Sequence, residues 1–154
     1  MTSVAELKAR LRSDLNTAMK ARDELTLATV RMTLTAITNE EVAGKAHREL
    51  SDDEVLRVIS KEAKRRREAA EAYDAAGRDD LASRERAEGE VLNRYLPPQL
   101  SDDELAGLVR EAIAEVGAAS PRDLGFVMKT VTPRLAGRAD GRRVSEEARR
   151  QLSG

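Results

Sequence analysis

The stretch Leu96-Pro97-Pro98-Gln99-Leu100-Ser101 limits what this chain can fold into more than any other. Proline has no amide hydrogen and a fixed φ, so no continuous helix runs through two in succession. Each proline also pushes the residue before it out of the α region. Directly afterwards, Ser101-Asp102-Asp103-Glu104 has the form of a capping box, in which a serine and the glutamate three residues on satisfy each other's backbone amides. The stretch therefore predicts a helix stop, a stiff spacer and a helix start. With them comes a division into an N-terminal part at 1–96, a connector at 97–100 and a C-terminal part at 101–154. Two prolines make a semi-rigid spacer, which predicts a preferred angle between the parts.

Helical periodicity fills both sides of the break. Ser3 with Glu6 forms a capping box, and Val4, Leu7, Leu11, Leu15 and Ala18/Met19 follow at helical spacing to about Arg22. Asp23 caps a second helix with the stripe Leu27, Val30, Leu34 and Ile37, and Gly44 is its expected stop. Residues 45–50 read as a polar loop. Ser51 with Glu54 starts a long third helix, marked by Val55, Ile59, Ala63, Ala70 and Tyr73 and closed by Gly77. A fourth begins near Asp79 and carries Leu81, Val91, Leu92 and Tyr95 up to the prolines. Beyond them, Leu105, Leu108, Val109, Ala112, Ile113 and Val116 define a fifth helix ended by Gly117. Ser120-Pro121 starts a sixth with the face Leu124, Val127, Met128, Val131 and Leu135, which Pro133 is expected to kink or tighten late in its course. A turn at 137–141 leads to a short seventh on Val144, Ala148 and Leu152. The predicted fold class is all-α: an N-terminal helical domain of about four helices followed by a small three-helix C-terminal domain. The smaller part has a marginal core and is expected to lean on the larger one or on a partner.

The composition removes several kinds of chemistry. There is no cysteine, which excludes disulfides, thiolate metal sites and cysteine nucleophiles together. The one histidine, His47, falls in a polar loop with nothing to pair with. Asp52-Asp53-Glu54 and Asp102-Asp103-Glu104 look like carboxylate clusters, but each follows a capping serine, where negative charge favours a helix start. No glycine-rich phosphate loop of a known kind is present. No catalytic constellation, metal or cofactor is expected. The N-terminus lacks the basic segment and apolar run of a signal peptide, and no apolar stretch approaches the ~20 residues that span a bilayer. A cytoplasmic protein that does not engage membranes is the expectation.

Net charge is −1, so any basic site must be a local patch. Two candidates stand out. The run Lys61 to Arg67 places Lys64, Arg65, Arg66 and Arg67 nearly all round the third helix, with Glu62, Glu68 and Glu71 within reach. Residues 121–150 hold eight basic side chains (Arg122, Lys129, Arg134, Arg138, Arg142, Arg143, Arg149 and Arg150) against four acidic ones, a local charge of +4. A Gly- and Arg-rich turn between helices lets amides and guanidinium groups approach a phosphate backbone. Spacing alone leaves both candidates open between nucleic-acid contact and a solvated surface.

Several longer strings carry a resemblance. Leu50-Ser51-Asp52-Asp53-Glu54-Val55, Lys61 to Glu68, Tyr73-Asp74-Ala75-Ala76-Gly77-Arg78-Asp79-Asp80-Leu81-Ala82 and Tyr95 to Ser101 resemble the GatB/YqeY family, in that order. So do Asp123-Leu124-Gly125-Phe126-Val127-Met128 and Gly137 to Val144. The likeness covers nearly the whole chain and is nearest to free-standing bacterial YqeY-like proteins. It implies two helical parts, similar to the tail of the B subunit of glutamine-dependent aspartyl/glutamyl-tRNA amidotransferase. There the tail helps to hold tRNA, and other domains perform the chemistry. The corresponding contacts would fall on the sixth and seventh helices and the turn at 137–141. Phe126 departs from the family pattern, in which many relatives carry a basic residue after the glycine; the departure either counts against a phosphate contact at this position or makes Phe126 a stacking or packing residue.

The function expected from this resemblance is a tRNA-binding accessory module without a catalytic centre of its own. Its partners would be tRNA and an amidotransferase or aminoacyl-tRNA synthetase, with no DNA. Two alternatives stand beside it. One is a carbon–nitrogen ligase with glutamine as amido donor, which the family label suggests. The other is a protein–protein interaction module.

Overall fold

The computed structural model describes residues 6–135 and 137–154, and there the chain is all-α with seven α-helices and one short 3₁₀ turn. The pairing Ser3–Glu6 and the position of Val4 lie outside the described residues. The chain divides into two compact units, Met1–Leu96 and Pro97–Gly154.

The first unit holds α1 (Glu6–Ala21), α2 (Glu24–Val42), α3 (Asp52–Ala75) and α4 (Asp79–Asn93). Arg22 takes a left-handed φ of 56° between α1 and α2, and Asp23 then caps α2 by accepting from the Thr26 amide at 3.1 Å. The hydroxyl of Thr26 donates to the same carboxylate, and together these contacts hold the Asp23 pKa below its ordinary value. Ser51 and Glu54 form the capping box of α3, and Gly77, at φ 72°, allows the chain to reverse into α4. Leu11, Val30, Ile37, Leu50, Val55, Ile59, Val91, Leu92 and Tyr95 form the apolar core.

Two details of α2 differ from the sequence expectation. Gly44 is not left-handed; the helix ends at Val42 with Ala43 as its cap. The buried face is turned toward Thr26, Thr29 and Thr33, while Leu27 and Leu34 are only half-buried. Thr29 and Thr33 donate to the carbonyls four residues back, both at 2.8 Å. With their hydroxyls satisfied along the helix, these threonines enter the core as small branched side chains.

The second unit holds α5 (Asp102–Val116), a 3₁₀ turn (Pro121–Asp123), α6 (Leu124–Leu135) and α7 (Gly141–Ser153). Ser101 with Glu104 caps α5, and Gly117 ends it at φ 65°. Ser120 does start the next element, but as the cap of the 3₁₀ turn that runs into α6. Pro133 lies inside α6, which continues to Leu135. Asp140 caps α7 by accepting from the amides of Arg142 at 2.8 Å and Arg143 at 3.3 Å. The core is wholly aliphatic, formed by Leu100, Leu105, Val109, Ala112, Val127, Val131, Leu135, Val144, Ala148 and Leu152.

The residues after Pro97 are more than a spacer. Arg138 donates from Nε to the Pro98 carbonyl at 2.9 Å, and the Leu100 amide donates to the Arg138 carbonyl at 2.8 Å. Gln99 donates to the Gly137 carbonyl at 3.4 Å, and Arg143 to the Leu100 carbonyl at 2.7 Å. Leu100 itself is buried in the core. The lead-in is thus stitched to the turn between α6 and α7.

Candidate nucleic-acid interface

The basic run on α3 resolves into ion pairs with different partners. Arg65 pairs with Glu62 at 3.3 Å and Lys64 with Glu68 at 4.0 Å, both on the same helix. Such exposed pairs contribute roughly 0–1 kcal/mol each. Arg66 is half-buried and reaches across to Glu85 at 3.4 Å and Glu88 at 3.6 Å on α4. Gly89 of α4 lies beside it: a Cβ there would stand 3.8 Å from the Arg66 Cβ, an ordinary van der Waals contact. Arg67 is exposed and lines a shallow cavity with Glu71, Arg86 and Glu90. Arg66 is therefore a clasp between two helices. Its position was readable, because residue 66 continues the stripe of Ile59, Ala63 and Ala70.

In the second unit, carboxylates from α5 meet the candidate cations. Arg134 pairs with Glu115, Arg138 lies 3.9 Å from Glu104, and Arg143 lies 3.0 Å from Asp102. Arg142 pairs with Glu146 at 3.6 Å and Arg150 with Glu147 at 2.6 Å on α7. The Arg150 and Gln151 side chains together hold the Glu147 pKa below its ordinary value. Over residues 97–154 the sequence holds nine basic and nine acidic residues, so the local excess at 121–150 is balanced within the unit. Arg122, Lys129 and Arg149 are exposed, and among the described residues they have no ion pair. Helix α6 contains Lys129 and Arg134 and no carboxylate.

Phe126 lies between Arg122 and Lys129 in sequence and is 66% exposed, the highest value among the exposed large apolar side chains of the described residues. It is out of phase with the buried residues Val127, Val131 and Leu135, which turns it away from the core. The ring therefore faces solvent and does not fill the core of the unit.

Sequence reasoning missed a buried ion pair in the first unit. Lys8 Nζ lies 2.8 Å from both oxygens of Glu41, and the two residues are 6% and 3% exposed. Burial alone would raise the Glu41 pKa; hydrogen bonds from Lys8 and from the Leu50 amide outweigh it and hold the carboxyl below its ordinary value. The signal was present, since Lys8 is three residues before Leu11 and Glu41 four after Ile37, each on its helix's buried face. A second polar group surrounds Tyr95. Its hydroxyl donates to Asp14, and the Arg10 guanidinium lies 4.6 Å from the ring centroid. Burial first and then the Asp14 contact raise the Tyr95 pKa. With Asp23 and Arg94 these residues line a cavity of about 220 Å³ in which opposite charges face each other. His47 is exposed in its loop. Among the described residues no group of three His, Cys, Asp or Glu side chains is placed to hold a metal ion, and no helix is long and apolar enough to cross a membrane.

Fold and surface define an all-helical, charge-covered protein in which many basic side chains are tied into ion pairs. The chain belongs to the YqeY-like family: the family model described as Yqey-like protein matches residues 8–152. It is 31% identical over 133 residues to altered inheritance of mitochondria protein 41, mitochondrial, of Clavispora lusitaniae, covering 84% of this chain and 76% of that protein. It is 32% identical over 102 residues to an uncharacterised protein of Schizosaccharomyces pombe, covering 66% of this chain and 80% of that protein. The protein of Pyrenophora tritici-repentis with the same mitochondrial name is 31% identical over 133 residues, covering 84% of this chain and 71% of its own length. These relatives are eukaryotic, whereas the sequence resemblance pointed to bacterial members.

Proposed function

We propose that this YqeY-like protein is an RNA-binding accessory module, with tRNA as the RNA and a tRNA-processing enzyme, an amidotransferase or synthetase, as its working partner. The observation that carries the reading is the charge on α6. Lys129 and the neighbouring Arg122 face solvent without an ion pair among the described residues, and the helix bears no acidic side chain. Cations held this way are available to phosphates, which give most of the affinity in nucleic-acid binding and make it salt-dependent. The likeness to an amidotransferase tail supports tRNA as the RNA, and a cytoplasmic setting belongs to the same proposal.

The test is a mobility-shift titration of labelled tRNA over a range of salt. Binding is expected at low salt and should weaken steeply as salt rises. The double change Arg122→Glu/Lys129→Glu should weaken it further and flatten the salt slope by about two. These positions suit the test better than Arg138, whose side chain holds Pro98. Absence of a shift at low salt would overturn the reading. So would capture of a single protein partner that is indifferent to nuclease and to this double change.

A further inference from the structure

We propose that Phe126 is a stacking platform for one unpaired base of the bound RNA, with Arg122 and Lys129 holding the flanking phosphates; this rests on the RNA-binding reading above. Phe126 is the only phenylalanine of the chain and is 66% exposed, whereas Tyr95 is 7% exposed within the core of the first unit. A ring this exposed leaves most of its apolar surface in water.

The surroundings select a nucleotide over an apolar partner. Lys129 follows Phe126 by three residues on α6 and so shares its face. Arg122 precedes it by four, on the 3₁₀ turn that leads directly into α6. Both cations lack an ion pair among the described residues. The nearest acid in sequence, Asp123, is turned to the chain, accepting from the amides of Ala119 at 2.9 Å and Ser120 at 3.4 Å. An apolar groove or helix would leave two charges unanswered at its rim; a nucleotide answers both and offers a flat face to the ring.

Gly125 supports the same reading. It is exposed within the first turn of α6, where a Cβ would meet no atom within 4 Å and the φ is not left-handed. Glycine weakens a helix interior, and nothing within the unit requires it here. Its lack of a side chain leaves the backbone at this turn open to close approach. Sequence-specific RNA contacts fall mainly on loops and ends, where bases are unstacked and free to settle on an aromatic ring.

The chain has no tryptophan, so Phe126→Trp places a single indole at the site. The probe is a single-stranded RNA dodecamer, compared with a blunt duplex of equal length. The dodecamer is expected to bind and to quench the indole emission, and the duplex to leave it largely unchanged. Val116→Trp, at a second exposed apolar position on α5, should show no such quenching. Phe126→Ala should weaken binding of the single strand by roughly 5- to 100-fold, with little change in salt slope, since no phosphate contact is removed. If wild-type protein binds RNA but Phe126→Ala binds equally well, or both tryptophans are quenched alike, the stacking site is overturned while RNA binding stands. If neither RNA binds at low salt, both fall.

Discussion

In the first unit two opposite charges meet inside the helix packing; in the second, the ion pairs lie at the surface around an aliphatic core. The buried polar residues of the described chain, Lys8, Thr26, Thr29, Thr33, Glu41 and Glu88, all belong to the first unit. The aromatic residues divide the other way: Tyr95 is buried and Tyr73 half-buried in the first unit, while Phe126 of the second faces solvent. Apolar burial is non-directional, so an aliphatic core specifies volume more strongly than alignment. A buried charge pair tolerates little misplacement, because removing one partner leaves an uncompensated ion. The first unit is thus pinned from within, and the second is free to spend its most exposed side chains outward.

The largest test of this contrast is Lys8→Met. It strands the Glu41 carboxylate and should lower stability by about 3–5 kcal/mol in urea unfolding. Adding Glu41→Leu should restore much of the loss, short of complete recovery because the Leu50 amide then lacks its acceptor. A loss below about 1 kcal/mol for the single change would break the contrast. In the second unit, Leu105→Ala should cost about 2–5 kcal/mol through lost burial and the cavity left behind. That loss should be insensitive to pH above 5, since no charge is uncovered.

Acid sharpens the comparison further. Arg48 and the Ser51 amide hold the Glu54 pKa at about 2, and Glu41 is also held below its ordinary value. Each carboxylate binds its proton more readily when unfolded. The stability each contributes is therefore present above the ordinary carboxylate pKa of about 4.3 and is lost as pH falls through the lowered value. Amide exchange followed from pH 6 to pH 3 should show protection in α1, α2 and the loop at 45–50 declining before that of α6. Equal decline in both would mean that the surface carboxylates of the second unit, Glu104 and Glu147, carry as much of the acid response. The smallest effects come from glycines. Gly107→Ala, inside α5 with no atom within 4 Å of the new Cβ, should stabilise by about 0.5–1 kcal/mol. Gly77→Ala should destabilise by about 1–2 kcal/mol, because φ there is left-handed. Thermal melts distinguish the two signs.

Helix ends were the most legible part of the fold. The caps at Asp23, Ser51 and Ser101 and the left-handed stops at Gly77 and Gly117 depend on residues close in sequence, and the structure has them where local chemistry places them. The buried face of α2 was not legible, because threonine reads as polar until its hydroxyl is bonded back along the helix. The charge of the second unit was legible only in part. A window at 121–150 holds the arginines but leaves out Asp102, Glu104 and Glu115, which reach them only once α5 packs against α6 and α7. The phase of Phe126 could be read from the stripe Val127, Val131 and Leu135; its exposure needed the structure.

The hydrogen bonds that tie Pro98, Gln99 and Leu100 to the turn after α6 bear on how the second unit could be moved between proteins. Its working boundary lies before Pro97, not at the first residue of α5. A fusion or a proteolytic cut that begins at Ser101 would discard Leu100 from the core and leave the Arg138 and Arg143 guanidinium groups without the Pro98 and Leu100 carbonyls they now hold. Portability therefore belongs to a segment that includes its own lead-in. A graft starting at Pro97 should keep the turn at 137–140 in shape, and one starting four residues later should loosen it.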